Sequence, residues 1–197
     1  MFELKFKRIS AIFDFSFFAT VALLTLLSET NAVLGLAACL WHELGHLMVM
    51  EVKGVSVKKV LFYGAGIKII PDRSFELADF GTELAVLIAG STANFTVAAM
   101  LWLCGDIRLK LFAVINAMIG AFNLLPVQSL DGGRIIVSII RRLCDYERAC
   151  QLESWLKRIN GILIIAVLIV FAVLQKGNLT LYITLCYLLV VSLSKGT

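Results

Sequence analysis

Charged residues are scarce in this sequence: they make up 16% of its 197 residues, against roughly 25% in an ordinary soluble domain. Hydrophobic residues make up 60%. This balance excludes an ordinary soluble domain and indicates an integral membrane protein. The net charge of +4 is then explained by membrane topology, and we expect no nucleic-acid partner.

Cysteine pairs are absent as well. The five cysteines are scattered along the chain and never form a Cys-x-x-Cys motif, which argues against a thiolate metal site and favours a role as small apolar packing residues.

Histidine is rarer still. The chain has two histidines, His42 and His46, and both lie in the pentapeptide His42-Glu43-Leu44-Gly45-His46.

This pentapeptide has the spacing of a metal site. Histidines at i and i+4 lie on one face of a helix and can bind one metal ion, while Glu43 can reach a water on that metal and act as its general base. A chance occurrence on a surface helix is the alternative. Residues 32–50 carry no other charge, and unpaired ionisable groups inside an apolar span cost about 2 kcal/mol or more each. We therefore predict a metal site inside or at the edge of the membrane.

Apolar stretches separated by short polar loops predict an all-α polytopic membrane protein with about six spans in a single domain over residues 1–197. The segment between the second and third spans is rich in β-branched residues and predicts a β-hairpin at residues 55–70. Pro126 and Gly132-Gly133 interrupt the fourth span. Residues 141–158 have the spacing of an amphipathic helix at the membrane surface. The predicted spans are residues 12–27, 32–50, 84–103, 111–140, 161–174 and 179–193.

The distribution of lysine and arginine predicts the orientation of these spans. With both termini in the cytoplasm, three of the eighteen basic residues fall on the far side, namely Arg108, Lys110 and Lys176. This orientation places the histidines and the hairpin at the cytoplasmic side. The basic N-terminus followed by an apolar stretch also resembles a signal peptide, but the apolar stretch is long and has no cleavage site after it.

The acidic residues are the candidates for the third metal ligand, because a catalytic zinc site usually has three protein ligands plus a water and the chain has no third histidine. Most carboxylates lie in predicted loops. Asp131 stands apart because it lies in an apolar stretch, next to irregular backbone that is tolerated at membrane depth where it lines a polar cavity. A turn or N-cap role, and an ion pair with Arg134, are the alternatives for Asp131.

Two of these motifs together resemble the site-2 protease family of intramembrane zinc metalloproteases. They are His42-Glu43-Leu44-Gly45-His46 and residues 122–133, Phe-Asn-Leu-Leu-Pro-Val-Gln-Ser-Leu-Asp-Gly-Gly. A weaker third element is Ala-Gly-Ser-Thr-Ala-Asn at residues 89–94. The layout is most similar to the bacterial branch typified by stage IV sporulation protein FB. The resemblance implies one zinc ion held by the metal ligands His42, His46 and Asp131, with Glu43 as the catalytic general base.

The resemblance also implies a function. A zinc metalloendopeptidase of this family hydrolyses a peptide bond in or near a transmembrane segment of a membrane-tethered protein, for which a sporulation sigma-factor precursor is one candidate. Asn94 and Asn123 would orient the scissile carbonyl or donate to the oxyanion, and a helix-packing hydrogen bond is the alternative for each. The hairpin would hold the substrate as an added strand. We expect a multi-pass protein of the bacterial cell membrane, regulatory membrane partners, and no C-terminal nucleotide-sensing domain.

Three other functions fit parts of the sequence. A metal transporter also places histidines and carboxylates inside spans, but it usually has ligands on several helices. A scaffold without catalytic activity has no need of an intact glutamate. An intramembrane protease with glutamate as its third ligand needs a downstream glutamate within a span, and none follows Glu83.

Overall fold

The described part of the chain forms two compact units, residues 1–123 and residues 124–197. The computed structural model describes residues 2–6, 9–14, 29–63, 66–72, 75, 78–127 and 130–174. Within these ranges there are five helices and four strands. The predicted sixth span and residues 15–27 of the predicted first span lie outside the described residues.

Three helices make up most of the first unit: α1 (Glu29–Val52), α2 (Phe80–Leu103) and α3 (Ile107–Asn123). Helices of 24 residues, such as α1 and α2, extend about 36 Å, which exceeds the roughly 30 Å of a bilayer core. Val33–Val52 and Phe80–Leu103 are long and apolar enough to cross a membrane, and Leu109–Asn123 is a shorter apolar helix. The predicted helical architecture is thus confirmed for this part of the chain.

A four-stranded sheet completes the first unit, in the order β1 (Phe2–Phe6), β2 (Ile9–Phe13), β3 (Val57–Tyr63), β4 (Gly66–Pro71). β3 and β4 form an antiparallel hairpin that falls in the predicted region. β1 and β2 form a second hairpin, and β2 runs parallel to β3. The sheet is therefore twice as large as the sequence analysis predicts.

The N-terminal hairpin corrects the start of the predicted first span. Ile12 and Phe13 lie in β2, so the span cannot begin at residue 12. The physical reason is visible in β1, where apolar Phe2, Leu4 and Phe6 alternate with charged residues. This period of two is typical of a strand.

Packing between the sheet and the helices fixes the C-terminal end of α1. Phe13 stacks on Phe62 with ring centroids 4.3 Å apart, and the Asp14 amide donates to the Phe62 carbonyl. A small core contains the buried side chains of Met50, Val55 and Val86, from the end of α1, the following turn and α2. The part of α1 that carries the histidines is therefore packed against α2.

Asp79 caps α2, and its carboxylate gives a first testable prediction. It accepts hydrogen bonds from the Thr82 hydroxyl at 2.7 Å and the Thr82 amide at 3.1 Å, and the hydroxyl hydrogen bond is the main cause of the lowered pKa of Asp79. A lowered folded-state pKa means that the cap stabilises above the unfolded value of about 4 and is lost as the pH falls through the folded value. We expect Asp79→Ala to lower the melting temperature at pH 7, by an amount that shrinks below pH about 4.

Asp79→Asn is the matched control for this cap. Asparagine also caps helices but does not titrate, so this variant should keep most of the stability at pH 7 and lose the pH dependence. Melting curves in detergent between pH 3 and pH 7 test both expectations. A melting temperature of Asp79→Ala equal to that of the wild type at pH 7 would contradict the role of the cap.

Two helices form the described part of the second unit: α4 (Asp131–Leu143) and α5 (Tyr146–Leu174). Arg141 on α4 makes two hydrogen bonds to the Glu153 carboxylate on α5, at 2.6 and 3.1 Å. The predicted surface helix over residues 141–158 is wrong as a separate element. Its first residues end α4, and the rest continues into the apolar part of α5, because exposed Leu152, Trp155 and Ile159 keep one helical phase and no proline interrupts them.

Candidate metal centre

The two histidines of α1 form a buried pair. His42 and His46 are 4% and 7% exposed. Their Nε2 atoms lie 3.1 Å apart. Two ligands of a tetrahedral zinc ion, each about 2.0–2.1 Å from the metal, are separated by about 3.3 Å. The pair therefore already has close to the spacing that one shared metal ion requires.

A backbone carbonyl of α2 fixes the tautomer of His46. The Nδ1 atom of His46 lies 2.7 Å from the Val86 carbonyl oxygen, and both groups are buried. A carbonyl oxygen can only accept, so Nδ1 carries the proton and donates it. In the neutral ring Nε2 is then unprotonated and available as a ligand, an arrangement that is common among metal-binding histidines.

Two glycines allow α1 and α2 to approach each other at this point. A Cβ atom built on Gly45 would lie 2.7 Å from the Ala89 carbonyl oxygen and 3.1 Å from the Gly90 Cα atom. No larger residue fits there without moving a backbone. The Trp41 indole also donates to the Ala93 carbonyl of α2 at 3.1 Å. The close crossing keeps the histidine rings against α2.

Gly90 provides the test of whether a metal fits this pair. A Cβ atom at Gly90 would lie 2.5 Å from His46 Nε2 and 2.6 Å from His42 Nε2. Glycine therefore leaves clear the space directly in front of the two nitrogens that have the spacing of metal ligands. The observed geometry fits an ion held by His42 and His46.

Glu43 lies beside the pair on the same helix and is half-buried. Leu40, Leu44 and Met48 recur every fourth residue and are exposed, as a lipid-facing side of α1 would be. Glu43 therefore lies at the border between the buried histidine face and the exposed apolar face.

Asn94 and Asn123 differ in whether their amides are already engaged. The Asn123 amide donates to the Ile119 carbonyl of its own helix at 3.0 Å. Asn94 is fully buried, and neither its amide nitrogen nor its oxygen has a hydrogen-bond partner in the described part of the chain. Asn94 lies one helical turn beyond Gly90. Of the two asparagines, Asn94 is the one whose side-chain amide makes no hydrogen bond among the described residues.

Asp131 lies in the second unit as the first residue of α4 and is 8% exposed. Leu130 occupies the N-cap position of α4 and makes no side-chain capping hydrogen bond. The alternative role of Asp131 as an N-cap is therefore wrong. The Arg134 side chain is exposed. A carboxylate in the first turn of a helix is favoured by the helix dipole.

The residue types of the predicted ligands agree with a metal site. His42 and His46 in the first unit, and Asp131 in the second unit, are each buried. Two imidazoles and one carboxylate form the protein ligand set of one type of catalytic zinc site.

Sequence reasoning missed the roles of Gly45 and Gly90, and it missed Asn160 in α5 entirely. The Asn160 amide donates to the Pro126 carbonyl, in the loop that precedes Asp131. A signal for each was present, because glycine and asparagine are out of place in apolar helices without a packing or hydrogen-bonding reason.

Comparison with known proteins gives a family and two named relatives. Residues 107–168 match the family model "Peptidase family M50". The chain is 30% identical over 122 residues to a zinc metalloprotease of Methanocaldococcus jannaschii, covering 57% of this chain and 35% of that protein. It is 27% identical over 120 residues to stage IV sporulation protein FB of Bacillus subtilis, covering 57% of this chain and 41% of that protein. The matches thus span about a third to two fifths of the relatives' length.

The fold has a counterpart among solved structures. The site-2 protease from Methanocaldococcus jannaschii superimposes with a TM-score of 0.72 and 21% sequence identity, covering 100% of this chain and 95% of that chain. At this identity the match concerns the fold. Together with the family match and the named relatives, it confirms the resemblance to the site-2 protease family that the motifs indicate.

Proposed function

We propose, because the chain resembles the site-2 protease family in motifs and fold, that this protein is an intramembrane zinc metalloprotease. The observation that carries the proposal is the buried histidine pair of α1. Both ligand nitrogens face the clear space over Gly90, in a helix long and apolar enough to cross a membrane. Zinc is the metal in the name of the archaeal relative.

We propose that His42, His46 and Asp131 hold one zinc ion. When bound, zinc lowers the pKa of a coordinated water to roughly 7 and polarises the scissile carbonyl. The Val86 carbonyl keeps His46 in the tautomer that binds through Nε2. The buried Asp131 carboxylate supplies the negative charge that partly neutralises the cation.

Glu43 is the general base in this proposal. Its carboxylate takes one proton from the attacking water as the water oxygen bonds to the carbonyl carbon. It then delivers that proton to the amide nitrogen as the carbon–nitrogen bond breaks, so that the amine leaves neutral. Its half-buried position next to His42 suits a group that must contact both water and substrate.

Asn94 is the residue we assign to orienting the scissile carbonyl. Its amide has no partner among the described residues, whereas the Asn123 amide is already bonded within its own helix. A buried amide without a partner is costly, and a substrate carbonyl would satisfy it. Asn123 has no comparable support.

The substrate we propose is a membrane-tethered protein that is cut in or near its transmembrane segment. A helical segment has to unwind before attack, because its carbonyls are bonded within the helix. β4 is an outer strand of the described sheet, and it can pair with the unwound segment as an added strand. The similarity to stage IV sporulation protein FB makes a sporulation sigma-factor precursor one candidate substrate.

The distribution of basic residues supports a multi-pass protein with both termini in the cytoplasm. Water then reaches the site from the cytoplasmic side. This topology and the six spans are part of the proposal, as are regulatory membrane partners.

Mapping of new protein N-termini in cells tests the proposed function. Cells express either the wild type or a variant in which His42 and His46 are both replaced by alanine. We expect termini within or beside apolar segments that appear with the wild type alone. If purified wild type contains zinc but such termini are absent, and single-span substrates in vesicles stay intact, the protein binds metal without being a protease.

A second test, with an Asp131 variant, asks whether Asp131 belongs to the set of zinc ligands. Asp131→Ala removes one of three proposed protein ligands, and we expect zinc affinity to fall by more than about 100-fold, beyond the effect of losing an outer-shell partner. Chelator competition with purified protein measures this. Asp145→Ala, an exposed aspartate of the same unit, is the control. Equal zinc affinity of Asp131→Ala and wild type would remove Asp131 from the ligand set.

A further inference from the structure

The loop before Asp131, of which the structure describes residues 124–127 and 130, is irregular. Among these described residues the backbone makes two local hydrogen bonds, from the Val127 amide to the Leu125 carbonyl at 2.7 Å and from the Leu130 amide to the Val127 carbonyl at 2.8 Å. Such turns leave several carbonyls to be satisfied by other parts of the protein.

Gly132 holds one side of this loop. A Cβ atom at Gly132 would overlap the Leu124 carbonyl group and lie 2.6 Å from the Leu125 carbonyl oxygen. The start of the loop therefore folds back onto the first turn of α4, directly beside Asp131.

Asn160 holds the middle of the loop. Its side chain is 2% exposed, and its amide donates to the Pro126 carbonyl oxygen at 2.5 Å, across 34 positions of sequence. The described residues of the loop are thus held at Leu124 and at Pro126 by contacts within the second unit.

The acceptor of this hydrogen bond distinguishes Asn160 from Asn116 and Asn123, because it lies outside the helix of the donor. The amides of Asn116 and Asn123 donate to the carbonyl four residues earlier in their own helix. Such bonds engage the amide nitrogen within its own helix and hold no other segment. The Asn160 amide instead spans from α5 to the loop.

We infer that Asn160 is a positioning residue for Asp131. By holding the Pro126 carbonyl, it fixes the loop so that the Asp131 carboxylate is already in place before a metal binds, and the ordering of the loop does not have to accompany binding. This inference rests on the proposed role of Asp131 as a zinc ligand.

The experiment compares Asn160→Leu with Asn160→Gln and with Asn116→Leu, using full-length purified protein in detergent. Leucine is close in size to asparagine but cannot donate, and glutamine keeps the amide. Asn116→Leu removes another buried helical asparagine, whose amide donates within its own helix. Zinc affinity is measured by chelator competition, and the melting temperature of the metal-free protein is measured alongside.

We expect Asn160→Leu to bind zinc 10–100-fold more weakly than the wild type, as loss of an outer-shell partner does. Asn160→Gln should recover part of the affinity, and Asn116→Leu should retain it. In an Asp131→Ala background, Asn160→Leu should cause no further loss, because the residue acts through Asp131.

Two results would overturn the inference. One is unchanged zinc affinity in Asn160→Leu while Asp131→Ala loses zinc. The other is an equal further loss from Asn160→Leu in the Asp131→Ala background, which would mean a general structural role. The same double-mutant comparison with Asn160→Ala applies if the leucine variant fails to fold. Failure of the wild type to bind zinc would instead reject the proposed function.

Discussion

Glu43→Gln should reduce hydrolysis of a transmembrane substrate by about 10²–10⁴-fold, the usual contribution of a general base. Glutamine has the size of glutamate but cannot accept a proton at neutral pH. Glu43 is not one of the three proposed ligands, so zinc content should stay at one ion per chain. The measurement pairs initial cleavage rates in lipid vesicles with metal analysis of the same preparations.

Glu51→Gln is the matched control, because Glu51 is an exposed glutamate near the end of the same helix. It should cleave at the wild-type rate. Wild-type cleavage by Glu43→Gln would show that another group takes the proton. Loss of zinc together with activity would show instead that Glu43 helps to hold the metal.

Gly90→Ala should abolish zinc binding, with an affinity at least about 100-fold below that of the wild type, because the added methyl group occupies the space in front of both ligands. The new Cβ atom would lie 2.5 Å from His46 Nε2 and 2.6 Å from His42 Nε2. Real Cβ contacts are essentially never so short, so the rings must turn away. The hydrogen bond from His46 to Val86 opposes that movement.

Gly35→Ala provides the comparison on α1, since a Cβ atom there meets nothing within 4 Å. Alanine is a better helix former than glycine by about 1 kcal/mol, so this variant should keep its zinc and its stability. Chelator competition and melting curves on both variants separate metal loss from unfolding. A Gly90→Ala protein that binds zinc like the wild type would mean that the metal does not lie over Gly90.

The proposed chemistry was predictable from sequence because it depends on local spacing. His42 and His46 are one helical turn apart, so any helix through them places both rings on one face. The apolar residues on either side indicated a membrane location, and Asp131 drew attention as a carboxylate within an apolar stretch. The resemblance to the site-2 protease family came from the same short motifs.

Part of the fold could also be predicted from periodicity. The apolar segments at residues 32–50 and 84–103 fall within α1 and α2, and the β-branched segment falls on the hairpin of β3 and β4. The N-terminal hairpin was missed because Ile12 and Phe13 of β2 were counted toward the first span, and β1 was interpreted as a basic N-terminus without regard to its apolar residues. Their alternation with charged residues gains meaning from the parallel pairing of β2 with β3, which joins residues nearly fifty positions apart.

By itself the sequence determined the residue types of the proposed metal site, their helical spacing and the apolar character of the segments around them, because these are properties of neighbouring residues. The tertiary structure alone decided that the Val86 carbonyl sets the tautomer of His46, that Gly90 leaves space in front of the ligand nitrogens, and that Asn160 holds the loop before Asp131. Each of these contacts joins residues more than thirty positions apart. Such contacts depend on how helices cross, and no local pattern specifies the crossing.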